Sequence, residues 1–266
     1  MKCLLVGYGN IGRIHSKYLT QDNVKWHWTD IALEGGVKNP NYNDYTHIFI
    51  LTPEHTHYEV YTNIKDSGYR GKIFIEKPAV IHSSHLDIFD DDVFVGMVER
   101  YNPAVITLKN ACNPEKILNM DFSRCCVAEH SSKVSILEDI GIHDIDLYLF
   151  INDITDTSDL SFHIESKFNT HIANITNGNL ARFIWSKDTY YKERKITIRQ
   201  TDCTLEADLQ DQVVKKHYFH EGKLVSESLF VEKGSPIYNE HVEFFKDTKQ
   251  PNVKVSHELL LKMINK

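Results

Sequence analysis

The sequence predicts an α/β domain built on a doubly wound parallel sheet, followed by an α+β domain with a large, mostly antiparallel open sheet. Three observations predict it. Short apolar runs alternate with amphipathic stretches through the N-terminal part, glycines cluster directly after the first of these runs, and long runs rich in Thr, Ile, Phe and Tyr fill Leu160 to Phe230.

The first strand is expected at Cys3–Val6, an apolar run that Gly7 ends. Ile11, Ile14, His15, Tyr18 and Leu19 then recur at helical spacing, so a helix starts right after the glycines. A second strand follows at Val24–Thr29. Between Asp30 and His47 the chain is short and carries Gly35-Gly36, Pro40 and several Asn, which predicts that the second crossover helix is reduced or lost. Strands at His47–Leu51, Lys72–Ile75 and Val93–Val98 flank a crossover helix at Tyr58–Ile64, which opens behind the Thr52-Pro53 turn. Beyond residue 115 the pattern changes to a strand at Ile117–Val127, a helix at Ile136–Ile151, the β-rich region, and helical periodicity from Ile237 to Lys266, broken at Gln250-Pro251. The expected domains are residues 1–115 and 116–266.

Gly7-Tyr8-Gly9-Asn10-Ile11-Gly12 is a G-x-G-x-x-G set between a strand and a helix, the context of a dinucleotide-binding Rossmann turn. The first glycine permits the tight turn, the second lets backbone approach a pyrophosphate, and the third lets helix pack on strand. Asp30 closes the second strand near the ~20 residues past the last glycine at which a ribose-binding carboxylate is expected. A carboxylate accepts from ribose hydroxyls and repels a 2′-phosphate, so NAD is favoured over NADP.

The remaining composition narrows the partners. The 266 residues are 41% hydrophobic and 25% charged, an ordinary globular balance that excludes disorder and fibre. A formal charge of −7 without a Lys/Arg-dense stretch argues against nucleic acid. Five cysteines with no C-x-x-C pair suggest neither a disulfide framework nor a zinc knuckle and fit a reducing compartment. The short N-terminal apolar run is not a secretory signal, and no run reaches the ~18 residues that cross a bilayer. A cytoplasmic protein without membrane partners is expected.

Three further segments carry chemistry: Thr52-Pro53-Glu54-His55-Thr56-His57, Glu76-Lys77-Pro78 and Asp139-Ile140-Gly141-Ile142-His143. With the glycine loop, they resemble in order the T-P-x-x-x-H, E-K-P and D-x-x-x-H motifs of the Gfo/Idh/MocA family of nicotinamide-dependent oxidoreductases. The resemblance runs nearly end to end. It implies a nucleotide domain followed by a sheet-rich substrate domain, with the nicotinamide in the cleft between them. Lys77 would stand beside the reacting hydroxyl, with Asp139 and His143 opposite. Thr52, Pro53, His57, Glu76 and Lys77 would join Gly7, Gly9, Asn10, Ile11, Gly12 and Asp30 at the cofactor. The Lys77-Pro78 bond is a candidate cis bond, which the family often shows.

Residue chemistry agrees with these roles. Oxidising a secondary alcohol needs a hydride acceptor, which a cofactor supplies, and a group to take the hydroxyl proton, which a histidine can be. A lysine ammonium stabilises developing alkoxide charge. On a helix, Asp139 and His143 would lie on one face a turn apart. Asp146 recurs on that face, but no further ligand cluster joins it, and no metal is expected.

Gly96–Ala104 and the stretch from Lys195 to Leu209 resemble segments of those family members that oxidise the 3-hydroxyl of UDP-N-acetylglucosamine. The resemblance implies a sugar or nucleotide-sugar substrate, with Arg100 and Asn102 as candidate substrate contacts. The same two residues could instead cap the helix that starts at Pro103. A free polyol or aldose dehydrogenase of the inositol dehydrogenase type and a non-catalytic NAD-binding sensor are the alternatives. An antiparallel sheet with one uncovered face also predicts a homodimer or homotetramer through the C-terminal sheet.

Overall fold

The computed structural model describes residues 1–127 and 135–266. They form two compact units, Met1–Met97 with Glu240–Gln250, and Val98–Asn239 with Pro251–Lys266.

The first unit is a five-stranded parallel sheet in the order β2-β1-β3-β4-β5, with β1 at Lys2–Val6, β2 at Lys25–Thr29, β3 at His47–Ile50, β4 at Lys72–Glu76 and β5 at Val93–Gly96. Leu5 lies opposite both Trp28 and Phe49 in the ladder. Central parallel strands are covered on both faces, which is why Cys3-Leu4-Leu5 and Ile73-Phe74-Ile75 are unbroken apolar runs with no exposure. Helix α1 (Asn10–Gln21) links β1 to β2, and α2 (His57–Asp66) links β3 to β4. Right-handed crossovers running outward in opposite directions place these helices on opposite faces, with the topological switch between β1 and β3.

The second crossover is indeed trimmed. Between β2 and β3 stands only a single 3-10 turn, Tyr42–Asp44. The edge strand β2 is covered instead by its own aromatics: the Trp28 ring stacks on Tyr8 at 4.6 Å, and Trp26 lies 5.9 Å from Tyr8.

The domain division differs from the expected boundary at 115/116. Helix α3 (Pro103–Ala111) packs on β11 (Thr204–Asp208) and β12 (Val213–His220), so it belongs to the second unit. The segment Glu240–Gln250 returns to the first, where the C-terminal part of α5 (Pro236–Phe245) brings Phe244 against Phe49, Phe74 and Phe94. Gln250 completes the return. Its side-chain amide accepts from Val95 N–H and donates to Val95 C=O, both at 2.7 Å, and so caps the open edge of β5 as a strand would.

The second unit is an eight-stranded sheet in the order β13-β12-β11-β10-β6-β9-β8-β7. Its remaining strands are β6 (Ile117–Val127), β7 (Ser161–Lys167), β8 (Thr170–Asn177), β9 (Asn179–Thr189), β10 (Glu193–Gln200) and β13 (Lys223–Leu229). Every pairing is antiparallel except β6 with β9. Phe122, Phe183, Trp185, Ile196 and Ile198 are buried on one face, while Arg182, Lys195 and Arg199 on alternate positions stay exposed. The helix expected at Ile136–Ile151 is in two parts, a π turn at Leu137–Gly141 and α4 at Ile142–Ile151. Helix α6 (Val253–Ile264) packs on α4. Among the described residues, no helix is long and apolar enough to cross a membrane.

Candidate functional site

The glycine loop makes a tight turn between β1 and α1. Gly7 has φ +97°, and a Cβ there would lie 2.7 Å from the Leu51 carbonyl oxygen at the end of β3. A Cβ on Gly12 would lie 2.4 Å from the Gly7 carbonyl oxygen. A Cβ on Gly9 would meet no described atom within 4 Å, so the loop is open at that point alone of the three. Gly9 is also the N-cap of α1, whose first turn holds Asn10, Ile11 and Gly12 and no acidic side chain. The backbone N–H groups there have no intrahelical acceptor and point their dipole at an incoming anion.

Asp30 closes this loop from the end of β2. Its carboxylate accepts from the Tyr8 N–H and the Ala32 N–H, each at 2.8 Å. Partial burial pushes the carboxyl up, but the N–H groups of Tyr8, Ala32 and Leu33 outweigh it and hold the group below its ordinary range. An ionised carboxylate has about four acceptor positions. The three N–H groups leave about one of them for a further donor, and the neighbouring Ile31 side chain is fully exposed as an apolar surface.

Thr52 and Pro53 follow β3, on the same edge of the sheet as the glycine loop. His57, expected at the cofactor, is buried, with 1% exposure. Its ring nitrogens lie 2.8 Å from the Thr52 carbonyl and 3.0 Å from the Pro78 carbonyl, and burial pushes its pKa down. It fixes the β3 turn to the loop after β4, where the Lys77-Pro78 bond is cis as expected.

Glu76, also expected at the cofactor, is part-buried and hydrogen-bonded within the first unit. One carboxylate oxygen lies 3.0 Å from His15 Nε2, and the other accepts from the Lys77 N–H at 3.1 Å. Burial pushes Glu76 up, yet His15 and Lys77 outweigh it and hold the carboxyl below its usual range. Lys77 therefore leaves the sheet from a backbone pinned on both sides, by Glu76 before it and by the His57–Pro78 contact after it.

In the second unit, Asp139 lies in the π turn and pairs at 2.5 Å with Lys187 Nζ on β9. His143 follows on the first turn of α4 and is half-buried. Asp144 beside it is buried in a network: it accepts from Arg124 Nε and Nη2 at 3.0 and 2.8 Å and from Trp185 Nε1 at 2.9 Å. Arg124 also donates to Glu99 at 2.8 Å.

Arg100 and Asn102, expected to touch substrate, are each 2% exposed and serve the interior of this unit. Arg100 grips Asp146 with Nε at 2.6 Å and Nη2 at 2.5 Å, and donates through Nη1 to the Pro251 carbonyl at 2.6 Å. Ser256 donates to the same aspartate at 2.6 Å. Asn102 caps α3 through the Ala104 N–H and donates to the Leu209 carbonyl at 3.0 Å. The capping alternative for Asn102 is the one realised. Asp146 is thereby bound to Arg100, and no group of three His, Cys, Asp or Glu side chains forms a metal site among the described residues.

Sequence reasoning missed Lys187, His15 and His241. Lys187 stands at a buried position of an alternating strand, the one signal that could have marked it. His15 and His241 read as members of apolar helix faces, and only the fold brings their rings together.

No protein-family model matches the chain, and no curated protein matches it. Solved structures do. Over 99% of this chain and 95% of the other, the fold is similar to UDP-N-acetylglucosamine 3-dehydrogenase GnnA from Acidithiobacillus ferrooxidans, with a TM-score of 0.85 and 18% identity. It is also similar to a dehydrogenase (MviM) from Clostridium difficile, with a TM-score of 0.79 and 15% identity over 100% and 99% of the two chains. A third similar structure is an NAD-binding protein from Listeria innocua, with a TM-score of 0.75 and 18% identity over 99% and 92%. The chain thus has the two-domain fold of these dehydrogenases, a parallel Rossmann sheet and a large mostly antiparallel sheet.

Proposed function

We propose that the chain is an NAD-dependent oxidoreductase of the Gfo/Idh/MocA type that oxidises a secondary hydroxyl of a sugar, the 3-hydroxyl of a UDP-N-acetylglucosamine-type nucleotide sugar. The observation that carries this reading is the placement of the glycine loop, Thr52-Pro53 and Lys77 at the carboxyl ends of β1, β3 and β4. Open parallel sheets bind their ligands at that edge, beside the switch point.

Gly7, Gly9, the start of α1 and Asp30 would hold the dinucleotide, whose ring supplies the hydride acceptor when bound. The chain supplies the proton chemistry. His143 takes the hydroxyl proton, the Lys77 ammonium stabilises charge developing on the oxygen, and Asp139 orients the histidine. The carboxylate of Asp30 favours NAD over NADP.

The nucleotide-sugar substrate is supported by the GnnA-like fold and by the Gly96–Ala104 and Lys195–Leu209 segments. The experiment is competition: UDP alone should inhibit turnover of a UDP-sugar competitively. If free polyols turn over and UDP has no effect, the substrate is a polyol instead. The exposed face of the eight-stranded sheet is proposed to pair with a second copy, which sedimentation at micromolar concentration tests.

A further inference from the structure

Lys187 is 9% exposed, and its ammonium meets the Asp139 carboxylate at 2.5 Å. Two residues earlier on the same face of β9, Trp185 donates its indole N–H to Asp144 at 2.9 Å. Strand β9 therefore grips the segment that carries His143 on both sides of the histidine. In a regular α-helix, residues five apart point about 140° away from each other, and Asp139 and Asp144 could not both face one strand. The π turn at Leu137–Gly141, which holds Asp139, winds less per residue than an α-helix and so narrows that divergence. A Cβ on Gly141 would lie 3.3 Å from the Leu137 side chain and 3.5 Å from the Trp185 ring, so the turn packs directly on β9.

We propose that Lys187 is a positioning residue for the Asp139–His143 pair, holding the Asp139 carboxylate on the β9 side of the π turn and compensating its charge. The proposal rests on the reading of His143 as the proton-accepting group, but its test does not need turnover. A buried ammonium is a costly way to hold a helix on a sheet unless its charge is used, because an apolar residue would pack there without desolvation.

The experiment is titration of the His143 imidazole by NMR in the full chain, its signal assigned by loss in His143→Gln. Removing Lys187 takes one cation away from Asp139 and favours the imidazolium. Other charges packed on α4 are Arg124 through Asp144, Arg100 through Asp146, and the His257 imidazole on α6. They are the same in every variant and drop out of the comparison. The expected order of midpoints is Lys187→Met highest, by about half a pH unit or more, wild type and the Asp139→Asn/Lys187→Met double variant close together, and Asp139→Asn lowest. Lys187→Arg should restore the wild-type midpoint. Because the double variant leaves no lone buried charge, the comparison survives even if Lys187→Met does not fold. Equal midpoints in wild type, Asp139→Asn and the double variant would overturn the proposal. Failure of every sugar to react, with the midpoints ordered as stated, would overturn the oxidoreductase reading and leave this one standing.

Discussion

Glu76 and His15 form a buried hydrogen-bonded pair at 3.0 Å directly behind the catalytic-lysine candidate. Its direction can be read from chemistry. Glu76 is held ionised, so it accepts from His15 Nε2–H. In a neutral ring His15 Nδ1 is then an acceptor, and it lies 2.6 Å from His241 Nε2, which donates. His241 comes from α5, so the returning C-terminal segment buttresses the backbone on which Lys77 stands.

Replacing His15 with Leu removes the partner of a buried carboxylate. The expected cost is about 2 kcal/mol, the range of a hydrogen bond to a charged group. Urea denaturation should show a lower midpoint with an unchanged slope.

Acid should unload the same cluster. Burial pushes His241 from an ordinary 6.5 down to about 3 and His47 down to about 4. Both imidazoles bind protons in the unfolded chain before they do in the folded one. Stability is therefore full above pH 6.5 and falls as pH drops from there towards 3. His241→Phe should flatten that slope in denaturation measured across the interval, and an unchanged slope would show that His241 does not contribute.

Gly9 and Gly12 separate binding from folding. Gly12→Ala puts a methyl 2.4 Å from the Gly7 carbonyl oxygen and should lower the melting temperature as well as NAD affinity. Gly9→Ala meets no described atom within 4 Å, so the melting temperature should hold while NAD affinity falls at least about tenfold. Calorimetry of binding and of unfolding reads both.

Asp30→Asn keeps an oxygen for the Tyr8 N–H but loses the charge that accepts from ribose. NAD affinity should weaken by about 10- to 100-fold, the equivalent of one charge-assisted hydrogen bond, and preference for NAD over NADP should shrink. Fluorescence titration with both dinucleotides checks the direction.

Arg100→Met strands the buried Asp146 carboxylate. The expected effect is a loss of about 3–5 kcal/mol of stability. A variant that folds with normal stability but binds the sugar poorly would return Arg100 to the substrate site.

The parts of this molecule legible in its sequence are those that backbone sterics enforce. The glycine loop, the parallel strands and the Ile117–Val127 strand follow from close approach and apolar periodicity, which are local. Arg100, Arg124, Asp144 and Asp146 read as ordinary charges because nothing local shows that the chain buries them against one another. His57 and Glu76 stand in the expected motifs, but their hydrogen bonds to the Thr52 and Pro78 carbonyls and to His15 are made by residues distant in sequence and could not be read locally. The π turn was hidden because an apolar helix pattern does not distinguish four-residue from five-residue bonding.

The most direct test of the proposed function is nicotinamide absorbance after mixing the protein and NAD with stoichiometric UDP-N-acetylglucosamine or its uronic acid, in wild type and in Lys77→Ala. NADH should form with the wild type and not with the variant, with NAD supplied at a concentration that saturates both. NADH formation that survives loss of Lys77 would contradict the site assignment, and its absence with every sugar and polyol would contradict the oxidoreductase reading itself.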